Sequence, residues 1–219
     1  MPGYVIHLAM AKRIIEKKNI TDERFINNFL IGSIAPDAVK KEEKVLSHFW
    51  AEDELKKLVR KPDLDNFITK HCNYTEDAYW YGYYCHLLLD YEFVTNYWKK
   101  HFRFFNDSME EEWRFDYVTK VLVVETGITY QRDEFFSSVY YYGDYTRMNP
   151  YIMKKYNIII PTLDKNLGDA GTLGDTLDEL SRMISFLHLE NNKTVMEKPV
   201  VFNLSEIEDL IEKSSEKLC

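Results

Sequence analysis

Glycine and proline are scarce, at 8 and 6 in 219 residues. An all-β sandwich or barrel needs many turns, so this shortage weighs against one. Cysteine is scarcer still, with only Cys72, Cys85 and Cys219. Three thiols without a CxxC spacing make neither a disulfide framework nor a zinc finger. No apolar run approaches the ~20 residues that span a bilayer. Positive charge is also short: 28 Lys+Arg against 36 Asp+Glu leave a net charge of −8. Broad binding to a phosphate backbone needs a basic surface, so long nucleic acid is not an expected partner. The amino-terminal MPGYVIHLAMAKRIIEKK has no basic stretch before its apolar part and no cleavage-like site. It reads as a folded helix rather than a signal peptide, and the expected location is cytoplasmic.

Aromatic residues are abundant: 16 Tyr, 13 Phe and 4 Trp. With 45% hydrophobic and 29% charged residues, the chain has a globular composition. The pattern predicts a single all-α, multi-helical domain over residues 1–219. Helical apolar spacing covers 4–18. Thr21 or Asp22 caps a second helix that Gly32 ends, and Pro36 makes 33–37 a turn. Residues 51–61 read as a charged surface helix, and a short helix follows Pro62. The strongest candidate is 75–101, with a capping box at Asn73 and Glu76. Ser108 and Glu111 start a predicted helix to Glu125, ended by Gly127. Residues 129–148 are ambiguous, and the Tyr140–Tyr142 run within them is expected to pack at the surface. Asn149 and Pro150 read as a cap and a first-turn proline. Residues 158–175 read as a loop, Leu177 to Leu187 as a helical stripe, and Ser205 with Glu208 as the cap of a last helix.

His86 and Asp90 lie four apart in GYYCHLLLD, on one face of the long helix. An imidazole and a carboxylate so placed can share a divalent metal, and equally can simply hydrogen-bond each other. Gly82, one turn earlier, leaves room for a metal, a substrate or another helix. His7 sits in a helix of core-like residues. Asp37 follows a proline in a turn, and His48 lies in SHFW. Tyr79 and Tyr83 fall near the His86 face. They could line a pocket or donate to a group behind the ligands, although core packing explains them equally simply.

Taken in order, His7, the GSIAPD turn with Asp37, SHFW with His48 and GYYCHLLLD with His86 and Asp90 resemble the bacterial zinc-dependent phospholipase C family. The fungal single-strand nucleases of the same helical fold show a similar order. The resemblance covers about residues 1–100. It implies a hydrolase of phosphoric esters, acting on a small-molecule or lipid head-group phosphoester with water activated by zinc. It further implies that His48, His86, Asp90 and Asp37 serve one zinc, with Asp37 as base, and that His7 serves a second ion bridged by Asp90. The secreted relatives hold another metal through a histidine soon after the HxxxD aspartate and a later HxxxE pair. Here Asn96 stands where that histidine is expected, and neither His101 nor His188 is followed by a carboxylate four residues on. One or two metals are therefore expected, not three. The alternative is a catalytically degenerate helical protein with a structural metal or an interaction role. A helical phosphohydrolase of the HD type needs an adjacent His-Asp pair, which the sequence lacks.

Overall fold

The computed structural model describes residues 2–163, 174–193, 195 and 197–219. Its frame is three helices: α1 (Tyr4–Lys17), α2 (Glu23–Ile34) and α5 (Ala78–Glu92). Between α2 and α5 lie the short α3 (Lys44–Ser47) and α4 (Leu64–Lys70). The Asp22 carboxylate caps α2 by accepting from Phe25 N at 2.6 Å. Asp77 does the same for α5, accepting from Tyr79 N at 2.8 Å and Trp80 N at 3.2 Å. The predicted capping box at Asn73 and Glu76 does not form; a single 3₁₀ turn, Tyr74–Glu76, precedes the true cap.

Helix α5 is buried on nearly every side, as a central helix with an apolar circumference must be. It crosses α2 at backbone contact. A methyl group on Gly82 would lie 2.0 Å from the Phe29 carbonyl oxygen, and one on Gly32 would lie 2.0 Å from that of Tyr79. The room left at Gly82 is thus filled by another helix. Gly32 does not end α2, which continues to Ile34 and into the 3₁₀ turn Ala35–Asp37.

The predicted long helix loosens beyond Glu92 into a π-helical segment, Phe93–Trp98, and then one turn, α6 (Lys99–His101). A small antiparallel sheet follows, which the expectation of an all-α chain omitted. Its strands are β1 (Phe102–Phe105), β2 (Lys120–Val123) and β3 (Ile128–Gln131), in that order. The register pairs Phe102 with Val123 and Lys120 with Gln131. The alternation that buries Phe102, Phe104, Val121 and Val123 is that of a half-covered sheet. The helix predicted from Ser108 to Glu125 is therefore absent. Gly127, at φ +69°, turns β2 into β3 instead of ending a helix. The predicted surface helix 51–61 is also replaced, by a 3₁₀ turn at Glu52–Glu54 and a segment of turns and bends bridged through Lys57 to Arg114.

After the short α7 (Arg132–Phe135), α8 (Tyr141–Lys155) carries Pro150 in its interior, so Asn149 is no cap. Buried Asp144 pins α8 to the C-terminal segment, accepting from the N–H groups of Val200, Val201 and Phe202. Helix α9 (Gly174–Asn191) buries Leu180, Met183 and Leu187, while Leu177 is exposed. Of the predicted loop 158–175, residues 164–173 lie outside the described residues. Asn203, not Ser205, caps α10 (Leu204–Glu216). Helix α10 backs α1 through Arg13 and Glu212 at 2.7 Å. One apolar core runs from Val5 to Ile211, so the molecule is a mostly helical single domain. Among the described residues, no helix is long and apolar enough to cross a membrane.

Candidate metal centre and its cleft

The frame brings together side chains that are far apart in sequence. Helix α1 supplies His7 and α5 supplies His86 and Asp90; the turn after α2 supplies Asp37 and the end of α3 supplies His48. The Nε2 atoms of His48 and His86 are 3.4 Å apart, and each is 3.5 Å from Asp90 Oδ2. Asp37 Oδ1 is 3.5 Å from His48 Nε2, and His7 Nε2 is 3.5 Å from Asp90 Oδ1. These separations exceed an ordinary N–H···O hydrogen bond. They match a shared ion: ligand atoms ~2.1 Å from a tetrahedral zinc stand about 3.4 Å apart. Among the described residues, two groups have ligand atoms close enough to hold a metal: His7, His86, Asp90 and Asp37, His48, His86.

The protons on the rings are fixed from behind. His86 Nδ1 lies 2.9 Å from the Ser33 carbonyl, which can only accept, so Nδ1 carries the hydrogen. Ser47 Oγ donates to the Pro36 carbonyl at 2.8 Å, so at 2.9 Å from His48 Nδ1 it must accept. In the neutral rings both Nε2 atoms therefore present lone pairs to the same point. Tyr83 supports this arrangement by donating its hydroxyl to the Ser47 carbonyl at 2.6 Å. Burial pushes the Tyr79 phenol up to about 12; Tyr79 presents its carbonyl to Gly32. Neither tyrosine lines the cleft described below.

The electrostatics point the same way. Burial opposes charge on Asp90, yet His86 and His7 outweigh it and hold the carboxyl below the usual range. Burial likewise opposes charge on Asp37, but His48, His86 and Lys44 hold it well below that range. Burial and the neighbouring His86 depress His7 to about 4. His86 moves up despite its burial, because Asp90 and Asp37 draw positive charge to it. His7 stacks on His86 with ring centroids 3.7 Å apart. Both His7 nitrogens and both Asp90 oxygens are buried without a hydrogen-bond partner among the described residues. Such groups are uncommon in folded proteins and mark a bound ion or a functional site. The donor set, imidazole and carboxylate, suits zinc.

A cleft of about 450 Å³ opens beside this cluster, with Asp37 and Lys44 at the junction. Lys44 Nζ sits 2.7 Å from Asp37 Oδ1. Aromatic side chains, among them Trp50, Trp98, Tyr141 and Tyr142, form much of the wall. Sequence reasoning missed Lys44, although it stands four residues before His48. Of the tyrosine run, for which the sequence favours surface packing over a ligand-binding loop, Tyr141 is instead buried in the wall, while Tyr142 is exposed and lines the cleft.

The family model for zinc dependent phospholipase C matches residues 6–166. The chain belongs to the zinc-dependent phospholipase C family, a family of hydrolases, and its likeness extends well past residue 100. Neither the curated proteins nor the solved structures searched gave a match.

Proposed function

We propose that the chain is a metal-dependent hydrolase of phosphoric esters, with one or two zinc ions held by His7, Asp37, His48, His86 and Asp90. The observation that carries this reading is the pair of Nε2 atoms, 3.4 Å apart and each 3.5 Å from Asp90 Oδ2. When bound there, zinc supplies Lewis acidity and lowers the pKa of a coordinated water toward neutrality. The protein's own part is orientation and proton placement. Ser33 and Ser47 fix the ring tautomers, and Tyr83 holds the Ser47 backbone. Asp37 is the better base of the two carboxylates, since it borders the cleft while Asp90 is fully enclosed. The substrate class is a small-molecule or lipid head-group phosphoester. The proposed setting is cytoplasmic and reducing, in keeping with three free cysteines.

One observation favours the alternative of a degenerate metal-binding protein. The Lys44 ammonium already engages Asp37, which makes that carboxylate a weaker proton acceptor. Elemental analysis followed by a phosphodiester panel with added zinc or manganese separates the two. Metal in the wild type, its loss in His86→Ala, and hydrolysis that Asp37→Asn slows without losing metal are the expected results. Tight metal with no hydrolysis across head-group and nucleotide esters would select the alternative, and no metal in either protein would remove the site.

A further inference from the structure

The cleft beside the metal ligands carries a cation that no carboxylate among the described residues neutralises. Arg60 lines it, with Nε on the Lys57 carbonyl at 3.2 Å and the guanidinium 4.9 Å over the Trp50 ring. Among the described residues, no carboxylate stands within ion-pair distance of Arg60. Trp50 and Trp98 also line the cleft, with their indole nitrogens buried away from it. Asp37 is the carboxylate in the described wall, and Lys44 occupies it at 2.7 Å.

We propose that this cleft is an anion subsite, taking a second phosphate group carried by the head group of the substrate. It would thereby select anionic head groups over quaternary ammonium ones. The inference rests on the hydrolase reading for the word substrate, and on the cleft alone for the binding. A guanidinium anchored through Nε and placed over an indole leaves its terminal N–H groups for a partner, and that planar fork suits two phosphate oxygens. Aromatic faces do attract cations. Here, however, the Arg60 guanidinium already lies over the Trp50 face, and a fixed positive charge repels a second.

The test compares two ligands that share one phosphate and differ at the far end: 1,3-propanediol bisphosphate and phosphocholine. Binding to the full-length, zinc-loaded protein is followed by indole fluorescence and by calorimetry. The bisphosphate is expected to bind at least about tenfold more tightly, as one charge-assisted contact contributes. Arg60→Gln should erase that preference while metal content stays unchanged. Phosphocholine binding as tightly as the bisphosphate, or a preference that survives Arg60→Gln, would overturn the proposal. Arg60-dependent retention on vesicles of phosphatidylcholine with phosphatidylinositol 4-phosphate supports a lipid-borne group. Arg60-dependent binding of the bisphosphate alone supports a soluble one. A protein that binds the bisphosphate through Arg60 yet cleaves nothing upholds the subsite and defeats the hydrolase reading. An active enzyme with no Arg60-dependent preference does the reverse.

Discussion

The ligand basin and the cleft share Asp37 but are built in opposite ways. The basin hangs on α1, α2 and α5, whose backbones touch at Gly32 and Gly82. Its side chains are enclosed, and each imidazole except His7 is oriented by a group behind it. The cleft is walled from many places: Leu58 to Arg60 from an irregular segment, Trp98 from a π-helical segment, several residues of α8 including Tyr141 and Tyr142, and Phe186 from α9. A basin of this kind tolerates little change, because moving one helix moves several ligands. A cleft of this kind can vary residue by residue while the basin stays intact. Chemistry and selectivity are thereby separated, with the chemistry on the rigid part.

The sharpest way to break the comparison is to force the helices apart. Gly82→Ala puts a methyl group into the Phe29 carbonyl, and backbone must yield. The cost is expected at the top of the ~1–3 kcal/mol typical of overpacking. That corresponds to a fall in Tm of roughly 6–12 °C at this chain length. It should be accompanied by loss of bound metal. A variant that melts like the wild type would mean that the crossing has slack and the basin is not rigid.

Next in size is the metal itself. Zinc at a hundredfold excess over its Kd should stabilise the folded chain by about 2.7 kcal/mol. Thermal melts with zinc and with chelator should then differ by roughly 5–10 °C. Asp90→Asn should abolish the difference, since Asp90 is the group within reach of His7, His48 and His86 alike. An equal shift in that variant would place the ion elsewhere. Arg60→Gln should leave the shift untouched, because the cleft takes no part in holding the metal.

The same contrast explains what could be read in the sequence. His86 and Asp90 stand out by helical spacing, whereas His7, Asp37 and His48 are each weak alone and enter the set through the ordered family resemblance. Frame helices α1, α2 and α5 were legible for a related reason: long apolar periodicity survives without tertiary information. The sheet was not, because Ser-x-x-Glu and a following glycine serve a turn and a hairpin as well as a helix. Only the pairing of Phe102–Phe105 with Lys120–Val123 decides between them. Pro150 misled in the same way, since surrounding packing carries α8 through it. Lys44 and Arg60 sat in charged runs that read as solvated surface. Nothing local marks a cation that faces a cleft, and the cleft exists only once α8 and α9 have closed it.

The smallest effects should come from behind the ligands, and their ranking is informative. Ser47→Ala removes the acceptor that fixes the His48 tautomer but touches no ligand atom. Loss of such a partner typically costs about 10–100-fold in metal affinity. Tyr83→Phe is one step further out, since its hydroxyl holds only the Ser47 carbonyl. A single hydrogen bond contributes about 0.5–1.5 kcal/mol net, so a drop of roughly two- to tenfold is expected. Zinc competition titrations of the two variants give the order directly. If Tyr83→Phe weakens zinc as much as Ser47→Ala, the tyrosine is placing the whole α3 end rather than refining one ring. The basin would then depend on its periphery as much as the cleft does, and the contrast between the two regions would narrow to Gly32, Gly82 and the helices they join.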